Sequence, residues 1–192
     1  MTLTVALTNA FPAGAIVQFL IDNTDIGTYQ QAVFVPFEYA FNVTDGTEIT
    51  RRDPSSNAND QFGFHFIDGK ICQAIAKFRV PYNYSSGIAI KAVIWPAAVG
   101  NIYHRILCYF GKVAETWNAA TASIAYTAET LAAEKIDEKG KLDSIAVEAG
   151  DFLTIAYIRN AGDALDTIGD SVFAAGVMIY FQGASLTGEP TP

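Results

Sequence analysis

The sequence predicts an all-β protein, a jelly-roll-like antiparallel β-sandwich of eight to ten strands with minimal helix. Three observations carry that expectation. Runs of apolar, aromatic and β-branched residues recur at strand length, each bounded by Gly, Pro, Asn, Asp or Ser. Several of these runs alternate with period two, the pattern of a strand with one buried face. One stretch alone, residues 131–141 (LAAEKIDEKGK), has a helix-forming composition, and Gly140 limits it to one or two turns.

The elements follow in order. Residues 15–21 form a short apolar run. Residues 31–42 (QAVFVPFEYAFN) are aromatic and β-branched, and Pro36 marks an edge or a bulge because it donates nothing to a ladder. Asp45-Gly46 is a turn. Residues 51–60 (RRDPSSNAND) have almost no apolar side chain and read as a surface loop. Residues 62–66 are a short strand, and Asp68-Gly69 a hairpin turn. Residues 71–82 alternate, with Ala74, Ala76, Phe78 and Val80 on one face and Gln73, Lys77 and Arg79 on the other. After a turn at Ser85-Ser86-Gly87, residues 88–95 place Ile88, Ile90, Ala92 and Ile94 together. Residues 101–112 place Ile102, His104, Ile106 and Cys108 opposite Tyr103, Arg105, Leu107 and Tyr109. Residues 121–130 are Thr- and Ala-rich and strand-like. Residues 144–147, 152–159 and 171–182 close the chain as strands. The whole reads as one domain over residues 1–192, with 1–14 and 183–192 as extended terminal arms.

Composition narrows the function classes. The chain is 51% apolar but only 17% charged, against roughly a quarter charged in ordinary soluble domains. So sparse a solvated surface points to burial against other subunits. The net charge of −8 argues against nucleic acid, which needs Lys and Arg to replace counterions at phosphates, and against anionic membrane surfaces. The N-terminal residues lack a basic region and are broken by Thr, Asn, Pro and Gly, so they make a poor secretory signal. No apolar run reaches membrane-spanning length. Cys72 and Cys108, the two cysteines, sit in apolar strand-like runs and read as buried thiols.

The sequence offers no catalytic residues. Its two histidines, His65 and His104, lack the His-x-His pairing of a cupin-type metal site. No Gly-x-Ser-x-Gly elbow is present, and Cys108 lies four residues beyond His104, too far for a catalytic pair. No phosphate-binding or dinucleotide motif occurs, so no cofactor is expected. Asp163, Asp166 and Asp170 fall together in NAGDALDTIGD. Three carboxylates in one loop could ligate Ca²⁺, but their spacing is not that of an EF-hand loop. The reading preferred is a solvated loop with these residues as turn formers and caps. Trp95, Trp117, Tyr103 and Tyr109 are the candidate anchors of a subunit contact. Trp117 could also stack on a sugar.

Four segments carry a likeness: FRVPYNYSSGIAIKAVIW, GNIYHRILCYF, AGDFLTIAYIRN and DALDTIGDSVFAAGVMIYF. Over about residues 78–182 the chain resembles jelly-roll virion structural proteins of tailed phages and related viruses, such as capsid decoration, cement or fiber-type subunits. The resemblance implies a non-enzymatic virion component, made in the host cytoplasm, that assembles with itself as a homotrimer and binds a major capsid or other virion protein. It carries no catalytic residues. The alternative is a carbohydrate-binding host-attachment module of a tail or fiber, with a glycan as partner.

Overall fold

A computed structural model describes residues 18–23, 28–52, 62–115, 120–143 and 145–184. These fold as two antiparallel sheets packed face to face, an all-β sandwich. The described residues contain thirteen strands: β1 (Gln18–Asn23), β2 (Thr28–Pro36), β3 (Tyr39–Asn42), β4 (Arg51–Arg52), β5 (Gly63–Phe66), β6 (Ile71–Arg79), β7 (Tyr84–Pro96), β8 (Gly100–Gly111), β9 (Ala120–Ser123), β10 (Thr127–Leu131), β11 (Asp137–Asp143), β12 (Phe152–Asn160) and β13 (Val172–Ala184).

The first sheet is organised around β13. One edge of β13 pairs with β7, and β11 extends the sheet beyond it. The other edge is shared, with β2 along Gly176 to Ala184 and β5 along Val172 to Ala174. β1 lies outside β2, and β4 outside β5. The second sheet runs β3-β6-β12-β8, and the far edge of β8 is shared by β10 and β9.

The strand count exceeds the expected eight to ten because two predicted runs each serve two strands, and because residues 51–52, read as loop, and 137–143, read largely as helix-forming, add β4 and β11. Residues 31–42 divide at Pro36, where the chain leaves one sheet for the other. The Phe37 amide donates to Ala175 O of the first sheet at 3.1 Å, and the next amide, Glu38, donates to Ile75 O of the second at 2.7 Å. A proline at the end of β2 removes a donor that the crossing strand has no partner for. Phe37 itself is fully buried in the corner and stacks on Tyr157. Residues 121–130 divide likewise into β9 and β10.

Three expectations are corrected. Residues 131–141 form no helix. Helix propensity is a weak force, and the open edge of β7 offers β11 a ladder instead, with one register shift between Lys139 and Leu142. Asp68-Gly69 does not close a hairpin, because β5 and β6 belong to different sheets and the turn carries the chain between them. Ser85-Ser86-Gly87 lies within β7, where Gly87 at φ 65° accompanies irregular register against β13. In addition, residues 145–147 are not a strand, and Gly183 and Ala184 belong to β13 rather than to a terminal arm. Residues 1–14 and 185–192 lie outside the described residues.

Between the sheets sits one core, including Phe66, Ile90, Ile94, Ile106, Ile155 and Phe181, all essentially unexposed. Each such side chain contributes roughly 1.5–3 kcal/mol relative to exposure. Packing is closest around β13. A Cβ at Gly176 would collide with Val35 O, and one at Gly63 would stand 2.6 Å from Ala174 O.

Candidate functional site

Alternation along four neighbouring strands builds the outer face of the second sheet. On β6 the core takes Cys72, Ala74 and Ala76, leaving Gln73, Ile75, Lys77 and Arg79 outward. On β12 Leu153, Ile155, Tyr157 and Arg159 point inward, leaving Phe152, Thr154, Ala156 and Ile158 outward. On β8 Tyr103, Arg105, Leu107 and Tyr109 point outward. On β3 Tyr39 and Phe41 do.

Register aligns these residues into rows. One row runs Tyr39, Ile75, Ala156, Leu107, Ser123 across five strands. The next on one side runs Phe41, Gln73, Ile158, Arg105, and the next on the other runs Lys77, Thr154, Tyr109, Thr121. The middle of the face is therefore low: Ala156 and Thr154 are short, and Ile75, Ala156 and Ile158 are almost unexposed although they point away from the core. Aromatic rings rise at its margins. Tyr39 and Phe41 stack with centroids 6.3 Å apart on the β3 side, and Tyr103 stacks on Tyr126 at 5.1 Å beyond β8.

At one end of this face Arg79 lies between two rings, 4.9 Å from the Tyr82 centroid and 5.1 Å from that of Phe152. Tyr82 is 77% exposed and its hydroxyl accepts a hydrogen bond from the Arg79 guanidinium. At the other end Arg105 lies over Tyr126 at 4.7 Å. Lys77 pairs with Glu38 at 2.8 Å, which holds the ammonium above its ordinary pKa.

The four anchors expected from the sequence do not converge. Tyr103 and Tyr109 both belong to this face. Trp95 belongs to the outer face of the opposite sheet, where it meets Phe173 edge-on at 5.4 Å and Phe173 stacks on His65 at 5.1 Å. Trp117 lies outside the described residues. Sequence reasoning missed Tyr39, Phe41, Arg79, Tyr82, Arg105 and Phe152 as parts of a site. The signal was present in the alternation of residues 71–82, whose polar face is the outward one.

The carboxylates Asp163, Asp166 and Asp170 do not gather as a Ca²⁺ site. Among the described residues no group of three His, Cys, Asp or Glu side chains is placed to hold a metal. Asp166 accepts from Arg159 Nε at 3.0 Å and from an Arg159 terminal nitrogen at 2.8 Å, and also caps the Tyr103 amide at 3.0 Å. Asp163 accepts from the Leu165 amide at 2.9 Å, and Asp170 from the Ser171 amide at 2.6 Å. The cation facing Asp166 is an arginine side chain.

His65 borders a cleft of about 250 Å³ at one end of the sandwich, lined also by Asn42, Asp45, Glu48, Arg52 and Lys70. Burial and the Arg52 charge push its pKa down, against a smaller opposing effect of Asp170. Its Nε2 is 2.5 Å from Ser171 Oγ, and among the described residues no carboxylate is hydrogen-bonded to the ring in the orienting position that a nucleophilic triad uses. The cleft mixes charges of both signs, and Asp45 is tied into its own turn by Asn42 and Thr47. His104 is wholly buried, 3.3 Å from Glu129 Oε1, within ion-pair distance but outside hydrogen-bond geometry. That contact is the largest cause holding the Glu129 carboxyl below its usual range.

No family model matches the chain, and no curated protein does. Similar solved structures include TmCBM61 in complex with β-1,4-galactotriose, at 12% identity and a TM-score of 0.39, covering 74% of this chain and 86% of that one. A structure of carbohydrate-binding modules from the β-sandwich superfamily aligns at 14% identity and a TM-score of 0.32, over 90% of this chain and 85% of that one. An isomalto-dextranase of Arthrobacter globiformis T6, complexed with panose, aligns at 8% identity and a TM-score of 0.32, covering 80% of this chain but only 35% of the enzyme. At these identities and TM-scores the likeness carries no weight for function.

Proposed function

We propose that the protein is a non-catalytic glycan-binding β-sandwich whose binding face is the outer surface of the second sheet. One observation carries this reading: a low strip of Ile75, Ala156, Ile158 and Thr154 is bordered by tyrosines and phenylalanines, with amide, hydroxyl and cationic tips interleaved. Sugar rings present C–H faces and hydroxyl rims. A platform that alternates flat apolar rings with hydrogen-bonding groups suits both, and Tyr and Phe supply contact area at small entropic cost. The test is a glycan array followed by calorimetry on Tyr39→Ala and Tyr109→Ala. Binding that falls at least about tenfold in either variant, with an unchanged unfolding midpoint, supports the reading. An array without a hit overturns it.

A second reading, the virion building block, draws support from the other outer face. There Phe34 is 37% exposed and pairs across strands with Met178, and Trp95 and Phe173 stand nearby on the same side. Such an apolar patch suits a contact between subunits. Light scattering distinguishes the outcomes. A trimer broken by Phe34→Glu favours the assembly reading, whereas a monodisperse monomer absent from purified particles removes it.

A further inference from the structure

We infer that the glycan taken by the outer face of the second sheet is anionic, a saccharide bearing carboxylate or sulfate groups. This rests on the glycan-binding reading and adds the charge of the ligand.

The charge distribution opposes that of the whole protein. The chain carries 20 acidic and 12 basic residues. Yet the six strands of the second sheet contain a single acidic residue, Glu129. It pairs in register with Ile102, whose side chain is core, and so turns inward toward His104. No strand of this sheet presents a carboxylate outward; exposed Glu48, bridged to outward-facing Phe41, sets one at the β3 edge, across the sheet from Arg105. Three cations do point outward: Lys77, Arg79 and Arg105. Glu38, just before β3, neutralises Lys77. Among the described residues neither Arg79 nor Arg105 has a carboxylate within ion-pair distance.

The two arginines are also held in a particular way. Each guanidinium lies on an aromatic ring, Arg79 between Tyr82 and Phe152 and Arg105 over Tyr126. Stacking restrains the plane of each group. One Arg79 terminal nitrogen donates to the Tyr82 hydroxyl and Arg105 Nε is buried, so the donors left for a ligand are on the remaining terminal nitrogens. A fork presented this way matches the two oxygens of a carboxylate or sulfate and pairs with them bidentately. Among the described residues both guanidinium groups are left clear of any ion-paired carboxylate.

Their separation sets the size of the ligand. Arg79 pairs with Phe152, which pairs with Gly111 at the end of β8, whereas Arg105 stands toward the middle of β8. Roughly 20 Å of strand direction lies between the two, so an oligosaccharide is needed to touch both.

The experiment is calorimetry on the full chain with an oligogalacturonide, a sulfated galactan oligosaccharide and a neutral galactan oligosaccharide of equal length. The acidic ligands are expected to bind more tightly than the neutral one, and to lose that advantage near 1 M salt, where screening shortens to about 3 Å. Arg79→Gln and Arg105→Gln should each weaken acidic-glycan binding by about tenfold or more. Arg79→Lys, which keeps the charge without the fork, should recover part of the loss. Thr154→Glu, which sets a carboxylate in the middle of the strip, should abolish acidic-ligand binding. Unfolding midpoints check that each variant is folded. Neutral glycan bound as tightly as acidic, or acidic binding indifferent to both arginine variants, overturns the inference and leaves the platform reading standing. No binding of any of the three, with no array hit, removes both.

Discussion

Arg159 and Asp166 form a bidentate ion pair in which neither side chain is reached by solvent. The remaining donors of the guanidinium reach the carbonyls of Phe66, Ile168 and Asp170 at 3.2, 2.8 and 3.1 Å. One side chain on β12 thereby fastens the 161–171 loop and the end of β5, joining the two sheets. Removing one partner of such a pair strands the other charge in the core, at a cost of about 3–5 kcal/mol. Asp166→Asn is expected to lose stability of that order in urea unfolding. The double variant Arg159→Met/Asp166→Leu is expected to be less destabilised than Asp166→Asn, because it leaves no unpaired charge.

Glu129 ties stability to pH. Its carboxyl is held below the usual value chiefly by His104. A group lowered by folding stabilises the native state above its unfolded pKa, and that contribution is lost as pH falls through the folded one. Glu129→Gln is therefore expected to be less stable than the parent at neutral pH. The gap should narrow as the pH drops below about 4, the ordinary carboxylate range. Paired urea curves across the acid range measure this.

Both thiols should be inert in the folded protein. Cys72 and Cys108 are fully buried, and burial pushes the Cys108 thiol up to about 12. The thiolate is the reactive form. A thiol reagent at mildly alkaline pH is expected to label neither cysteine until denaturant is added. Rapid labelling of the native chain would contradict their placement between the sheets.

Gly176 is where β13 passes closest to β2. An added Cβ meets backbone, the Val35 carbonyl, rather than a movable side chain. Gly176→Ala should cost about 1–3 kcal/mol or more, seen as a lower thermal midpoint. Gly46→Ala, at a turn with open space but φ 71°, should show a smaller loss caused by backbone conformation alone.

The strands were legible because period two survives wherever one face is buried, as it does along β6 and β8. What alternation tells is which side chains share a face, not which sheet the strand joins. Hence Trp95 and Tyr109, equally plausible as anchors by sequence, stand on opposite outer surfaces. The same limit hid the crossing at Pro36, where one continuous run feeds both sheets. The acidic loop reads as structural in the sequence, but its partner does not. The partner of Asp166 is an arginine in a strand that otherwise reads as core, and no local pattern announces a buried guanidinium. The aromatic margins of the candidate face come from β3, β6, β8 and β12, brought together by pairings between segments far apart in the chain.

The place of β13 bears on how the protein is made. It is the last strand described, yet it supplies the middle of its sheet, bonded to β2, β5 and β7. During synthesis those three strands emerge from the ribosome with an unpaired edge each, and they stay so until β13 has followed. Contacts this distant in sequence form slowly, and open edges invite pairing with other chains. The nascent polypeptide must therefore wait, largely unsandwiched, for its own closing strand. Its yield in a cell should depend on chaperones that shield β2 and β7 during that interval.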